Sequence, residues 1–107
     1  MNVAPVVATP AQPTPSVHSL PLRHGGFATL TAALDYAAQG ETGANFYTPR
    51  GELACALPYR DLRARARAHA RRLHALGLAR GARVALVAET DPEFIALVLG
   101  CQYAGLV

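Results

Sequence analysis

The sequence predicts an α/β chain in the order helix, β-hairpin, helix, strand, helix. One long stretch, Pro58 to Leu76, has apolar residues recurring every three to four positions, which is helical periodicity, and a second, Pro92 to Gly105, opens with helix-start signals and continues almost wholly apolar. A short apolar run, Arg83-Val84-Ala85-Leu86-Val87-Ala88, lies between them and suits a strand covered on both faces. Two shorter runs of extended character flank Pro49-Arg50-Gly51-Glu52, whose Pro and Gly suit a turn.

Residues 1–25 contain Pro5, Pro10, Pro13, Pro15 and Pro21 among Ala, Val, Thr and Ser. Backbone donors are missing at short intervals and no amphipathic period develops, so this stretch is expected to be a disordered Pro-rich leader. His18 and His24 have no Cys or carboxylate at ligand spacing and are expected to be solvated. The folded part is expected over residues 26–107.

In the first helix Thr29 is placed to cap a run with Leu30, Ala33, Leu34 and Ala37 on one face, and Gly40 ends it. The hairpin joins Ala44 to Thr48 with Leu53 to Leu57. Pro58, with its fixed φ, is expected to start the second helix, and Gly77 to stand just past its end. Tyr59, Leu62, Ala66, His69, Leu73 and Leu76 form its apolar stripe, while the arginines fall mainly on the opposite side. Asp91-Pro92-Glu93 supplies a cap, a first-turn proline and a first-turn acid for the last helix, whose near-total apolarity predicts burial on most sides. Leu106-Val107 has the character of a further strand. The succession therefore reads as a βα series cut off in its middle.

Composition sets limits on what such a chain does. A chain of 107 residues forms one domain at most. With 51% hydrophobic and 16% charged residues it is globular, and Ala, Leu and Val supply most of the apolar volume. The net charge is +3, and all ten basic residues are arginine. No exposed aromatics or Gly-rich loops accompany them, which argues against nucleic-acid binding. Cys55 and Cys101 lie in apolar surroundings and are expected to be buried free thiols. No segment has the length and apolarity of a membrane span or a signal peptide, and a cytoplasmic location is the expectation.

Candidate chemistry is sparse. Neither GxGxxG nor GxxxxGK[ST] occurs, and Ser16 and Ser19, the only serines, lie in the leader. Glu89, Asp91 and Glu93 cluster before the last helix, where capping and the helix dipole account for them. His69 and His74 stand five apart, which points them in different directions; His69 is expected at the core edge, bonded to backbone or water. Arg63, Arg67 and Arg71, at i, i+4 and i+8, share one helix face, either solvated or an interaction surface. The reading assigns no catalytic, cofactor-binding or metal-binding residue to the chain.

Three stretches carry a resemblance: Leu57-Pro58-Tyr59-Arg60-Asp61-Leu62, then Leu73-His74-Ala75-Leu76-Gly77-Leu78, then Gly81-Ala82-Arg83-Val84-Ala85-Leu86. Together they are similar to the opening of AMP-forming acyl- and aryl-activating enzymes, over roughly Phe27 to Val107. Phe94 with Leu99-Gly100-Cys101-Gln102-Tyr103-Ala104-Gly105 looks most like the fatty acyl-AMP ligase branch. Pro58 and Ala82 stand where the family usually has Thr or Ser, and Asp.

The resemblance implies the truncated N-terminal part of an adenylating-enzyme large domain, inactive alone, in a parent that converts a fatty acid and ATP to acyl-AMP. It implies ATP and Mg for that parent, with the phosphate loop, the Mg-binding acid and a mobile Lys all beyond Val107. The expected partners are the remainder of the adenylating domain, a fatty acid and an acyl carrier protein. The alternatives are an acyl-CoA synthetase and a small non-catalytic interaction domain with a basic helix.

Overall fold

The computed structural model describes residues 20–107; the expectations for residues 1–19, including Ser16, His18 and Ser19, fall outside that range. Five regular elements follow in order: α1 (Leu30–Ala37), β1 (Gly43–Tyr47), β2 (Leu53–Pro58), α2 (Tyr59–Ala75) and α3 (Pro92–Tyr103).

Helix α1 begins where the side chain of Thr29 accepts a hydrogen bond from the Ala32 amide at 3.0 Å, satisfying one donor of the first turn. It buries Leu34. Upstream, Leu20 lies against Gly40, and the Tyr36 hydroxyl donates to the Pro21 carbonyl at 2.6 Å. Arg23 stacks its guanidinium over Phe27, 3.9 Å from the ring centre.

The hairpin pairs β1 and β2 antiparallel, from Gly43 opposite Pro58 to Phe46 opposite Cys55. A bulge between Phe46 and Tyr47 shifts the register, so that Tyr47 faces Leu53. The turn closes through Thr48 N–H to the Glu52 carbonyl at 2.8 Å and Gly51 N–H to the Thr48 carbonyl at 2.9 Å.

Pro58 departs from expectation. It is the last residue of β2 and the cap of α2, with φ −57° and ψ 144°, rather than the first helical residue. The ring tolerates φ in either role, and the extended ψ keeps it in the strand. The first helical amide, Tyr59 N–H, then bonds to the Thr42 carbonyl at 3.0 Å, tying the helix start to the β1 edge.

Helix α2 buries Leu62 and Ala66, and Gly77 takes φ +75° just beyond its end, as the pattern predicted. The burial of the apolar stripe does not extend to Leu76, which keeps helical backbone angles at the cap yet is 72% exposed. Helix α3 starts with the Asp91 carboxylate accepting from Phe94 N–H at 2.8 Å. It ends in a Schellman arrangement: Leu106 N–H bonds to the Cys101 carbonyl at 2.8 Å and Gly105 N–H to the Gln102 carbonyl at 3.1 Å. Gly105 has φ +74°, which this motif requires, and Leu106 and Cys101 are both buried beside it.

Helix α2 packs chiefly on α3. The closest approach is at Gly100: a Cβ there would come within 2.8 Å of the His69 Cβ and 2.9 Å of the Ala66 carbonyl oxygen. The core unites Leu34, Leu57, Leu62, Ala66, Ala96 and Leu99 from all three helices and the hairpin.

The expected strand over residues 83–88 is not part of a regular sheet. It takes one parallel-type step, in which Val84 N–H bonds to the Val107 carbonyl at 2.7 Å and Val107 N–H to the Ala82 carbonyl at 2.9 Å. Residues 85–88 find no further ladder partner among the described residues, and Val87 is 98% exposed. The α/β order helix, hairpin, helix, extended segment, helix is otherwise the one the sequence predicts.

Candidate functional site

The main polar cluster joins three helices through one carboxylate. Asp35 projects from α1, and its Oδ1 accepts from Arg63 Nε of α2 at 2.6 Å and from the Tyr103 hydroxyl of α3 at 2.6 Å. The hydroxyl also lies 3.4 Å from the Thr31 carbonyl. The Tyr103 bond, and then the Arg63 bond, hold the Asp35 carboxyl below its ordinary range. Burial, reinforced by the bond to Asp35, pushes the Tyr103 phenol up to about 12. The Arg63 guanidinium is raised further by Asp35. All three groups are therefore locked in one protonation state near neutrality, which suits a structural clasp rather than proton transfer.

A second polar contact links α2 and α3 directly. His69 Nε2 meets Glu93 Oε1. The imidazole is mostly buried and the carboxylate is half-exposed. This corrects the expectation of a backbone or water partner for His69, and it also removes Glu93 from the acidic cluster. Asp91 is occupied in capping, and Glu89 is exposed. Among the described residues no group of three His, Cys, Asp or Glu is placed to hold a metal ion.

Arg63 likewise leaves the basic stripe in part, since Asp35 neutralises it. Its partner lies 28 residues upstream, on α1. Arg67 and Arg71 remain exposed, and with His74 they line one wall of a groove of about 610 Å³, closed on the other side by Tyr103 and Ala104. A second groove, of about 590 Å³ and mainly apolar, opens between α1, β1 and α3 and is lined by residues including Leu30, Phe46 and Val98.

Asp35 and Tyr103 carry the clasp; Asp35 was not singled out from sequence, and Tyr103 entered only within the stretch around Cys101 that carries the resemblance. The available hint was an acid on α1 immediately next to the buried Leu34. Cys101 is buried, and burial raises its thiol pKa; Cys55 is only half-buried because it lies on β2 of a two-stranded sheet. Among the described residues no helix is long and apolar enough to cross a membrane.

Comparison with known proteins places these features. The sequence pattern of the AMP-binding enzymes matches residues 36–107. A protein of Caulobacter vibrioides (strain NA1000 / CB15N), described as "Putative acyl-CoA synthetase", is 53% identical over 94 residues, covering 88% of this chain and 16% of that protein. A solved structure from a study of fatty acyl-adenylate ligases of E. coli and L. pneumophila superposes with a TM-score of 0.77 at 53% identity, over 81% of this chain and 16% of the other. The chain thus spans about one sixth of the length of the relatives it matches.

Proposed function

Because the chain belongs to the AMP-binding enzyme family, we propose that it is the N-terminal scaffold of a fatty acyl-AMP ligase. The observation that carries this reading is the 53% identity, at a TM-score of 0.77, to a structure from work on fatty acyl-adenylate ligases. In the proposed reaction a fatty acid carboxylate attacks the α-phosphate of ATP, pyrophosphate leaves, and acyl-AMP forms. A carrier protein's phosphopantetheine thiol then accepts the acyl group.

The chain's own residues do not fit the triphosphate or Mg. It has no Lys and no Gly-rich phosphate loop, Asp35, Asp91 and Glu93 are engaged by Arg63, the α3 cap and His69, among the described residues no group of three His, Cys, Asp or Glu is placed to hold a metal ion, and Arg63 is neutralised by Asp35. Charge developing in phosphoryl transfer needs positioned cations, so these are assigned to parts of the enzyme outside the 107 residues. The role proposed for this segment is to hold a helix pair and a hairpin in fixed relation through the shared core and the Asp35 clasp.

A second reading, an acyl-CoA synthetase, is favoured by the description of the Caulobacter relative. The two differ in acceptor. The test uses the protein encoded by the reading frame continued past Val107, incubated with radiolabelled fatty acid, ATP and Mg, with and without CoA. Acyl-AMP with little acyl-CoA supports the ligase, and efficient acyl-CoA formation moves the assignment to the synthetase. No adenylate from the continued protein would leave the non-catalytic interaction domain as the better account.

A further inference from the structure

We propose that the outer face of α2 docks an acidic helix of a partner protein. At 100° per residue, Arg60, Arg63, Arg67, Arg71 and His74 fall within an arc of about 80°, away from the buried Leu62 and Ala66. The row extends about 21 Å from Arg60 to His74 at the helical rise. Within it only Arg63 pairs with a carboxylate among the described residues. No Asp or Glu occurs between Asp61 and Glu89, and Asp61 projects from another side of the helix, so the sequence around the row does not neutralise it.

The shape of the row selects the partner class. The groove beside Arg67 and Arg71 is bounded by Ala70 and Ala104, small residues that let another backbone approach. A straight row at three- and four-residue steps matches carboxylates spaced the same way on a second helix. Single-stranded nucleic acid is less well matched because its bases need exposed aromatic faces to stack on, and Tyr103, the aromatic that lines this groove, is half-buried. A lipid surface needs large apolar residues among the cations, and the positions between these arginines include Ala64, Ala68 and Ala70 instead. The inference rests on charge and geometry and is independent of the ligase reading.

The test uses the protein encoded by the continued reading frame and two synthetic helical peptides of identical composition. One carries Glu along a single face at i, i+4, i+7 and i+11, and the other distributes the same residues around the helix. The single-face peptide is expected to bind at least about tenfold tighter, with affinity falling as salt rises. Paired Arg67→Glu and Arg71→Glu changes should abolish that preference, and the milder Arg67→Gln and Arg71→Gln pair should reduce it. Arg65→Glu with Arg72→Glu, on the other flank of α2, should leave it intact, with circular dichroism confirming that every variant is folded. Equal binding of the two peptides, equal loss in the flank variant, or tighter binding to duplex DNA or anionic phosphatidylserine vesicles than to the single-face peptide would overturn the proposal.

Discussion

Asp35 shows how a single oxygen can fix three helices. Its Oδ1 is shared by Arg63 and Tyr103, so neither partner can move without disturbing the other. The two titrations bound a stability window. Asp35 has a lowered pKa, so its contribution is present above the ordinary value of 3.8 and is lost as pH falls through the lower folded value. Tyr103 has a raised pKa, so its contribution is complete below 10.0 and is lost as pH rises towards about 12. Tyr103→Phe should lower stability at neutral pH by about 1 kcal/mol, at the low end for a charged hydrogen bond because the carboxylate is half-exposed. It should also remove the alkaline decline, and urea titrations of the intact protein at several pH values would show both effects. At the second contact, His69→Leu should leave stability equal or higher, since the Glu93 it releases is half-exposed and keeps its solvation. Under the proposed ligase reading, a stably folded His69→Leu variant without adenylating activity would contradict the structural role given to this histidine. Neither partnership was legible in the sequence, because Asp35 and Arg63 are 28 residues apart and His69 and Glu93 lie on different helices.

At the level of elements, local chemistry was well written into the chain. Thr29, Asp91 and Gly77 act where capping rules place them, and the Pro49 to Glu52 turn closes as its composition suggests. Pro58 was misplaced by one role because a ring-fixed φ is equally at home in a strand end and a helix start. Packing between elements was less legible. Gly100 reads as a weak position in an apolar helix, yet it is where α3 comes closest to α2. Gly100→Ala should therefore destabilise the intact protein by about 1 to 3 kcal/mol, despite the better helix propensity of alanine. Thermal unfolding of the variant tests this, and an unchanged or raised midpoint would show that the helices separate more easily than their contact suggests. Leu62, at 2% exposure, and the half-buried Leu73 provide an internal scale. Leu62→Ala should cost about 2 to 5 kcal/mol, and Leu73→Ala less.

For the whole molecule, the limit on legibility was sheet formation. The run at residues 83–88 has strand composition, but ladder hydrogen bonds come from a neighbour, and a sequence pattern does not say which neighbour is present. The result is a surface with Val87 and Leu76 outward and an open apolar groove between α1, β1 and α3. The isolated 107-residue chain should therefore self-associate and bind ANS. Size-exclusion chromatography giving a sharp monomer, with no ANS fluorescence, would contradict this.

The single parallel step between Val84 and Val107, together with the bond from Gly81 N–H to the Gly105 carbonyl at 2.7 Å, joins the two ends of the segment that contains α3. These bonds close a loop whose closure entropy must be recovered by the packing of α3 on α2. Opening of α3 thus releases the Gly81, Val84 and Val107 amides as well. In hydrogen exchange the three should behave as one cooperative unit with the middle of α3, and exchange more slowly than the unpaired amides of residues 85–88.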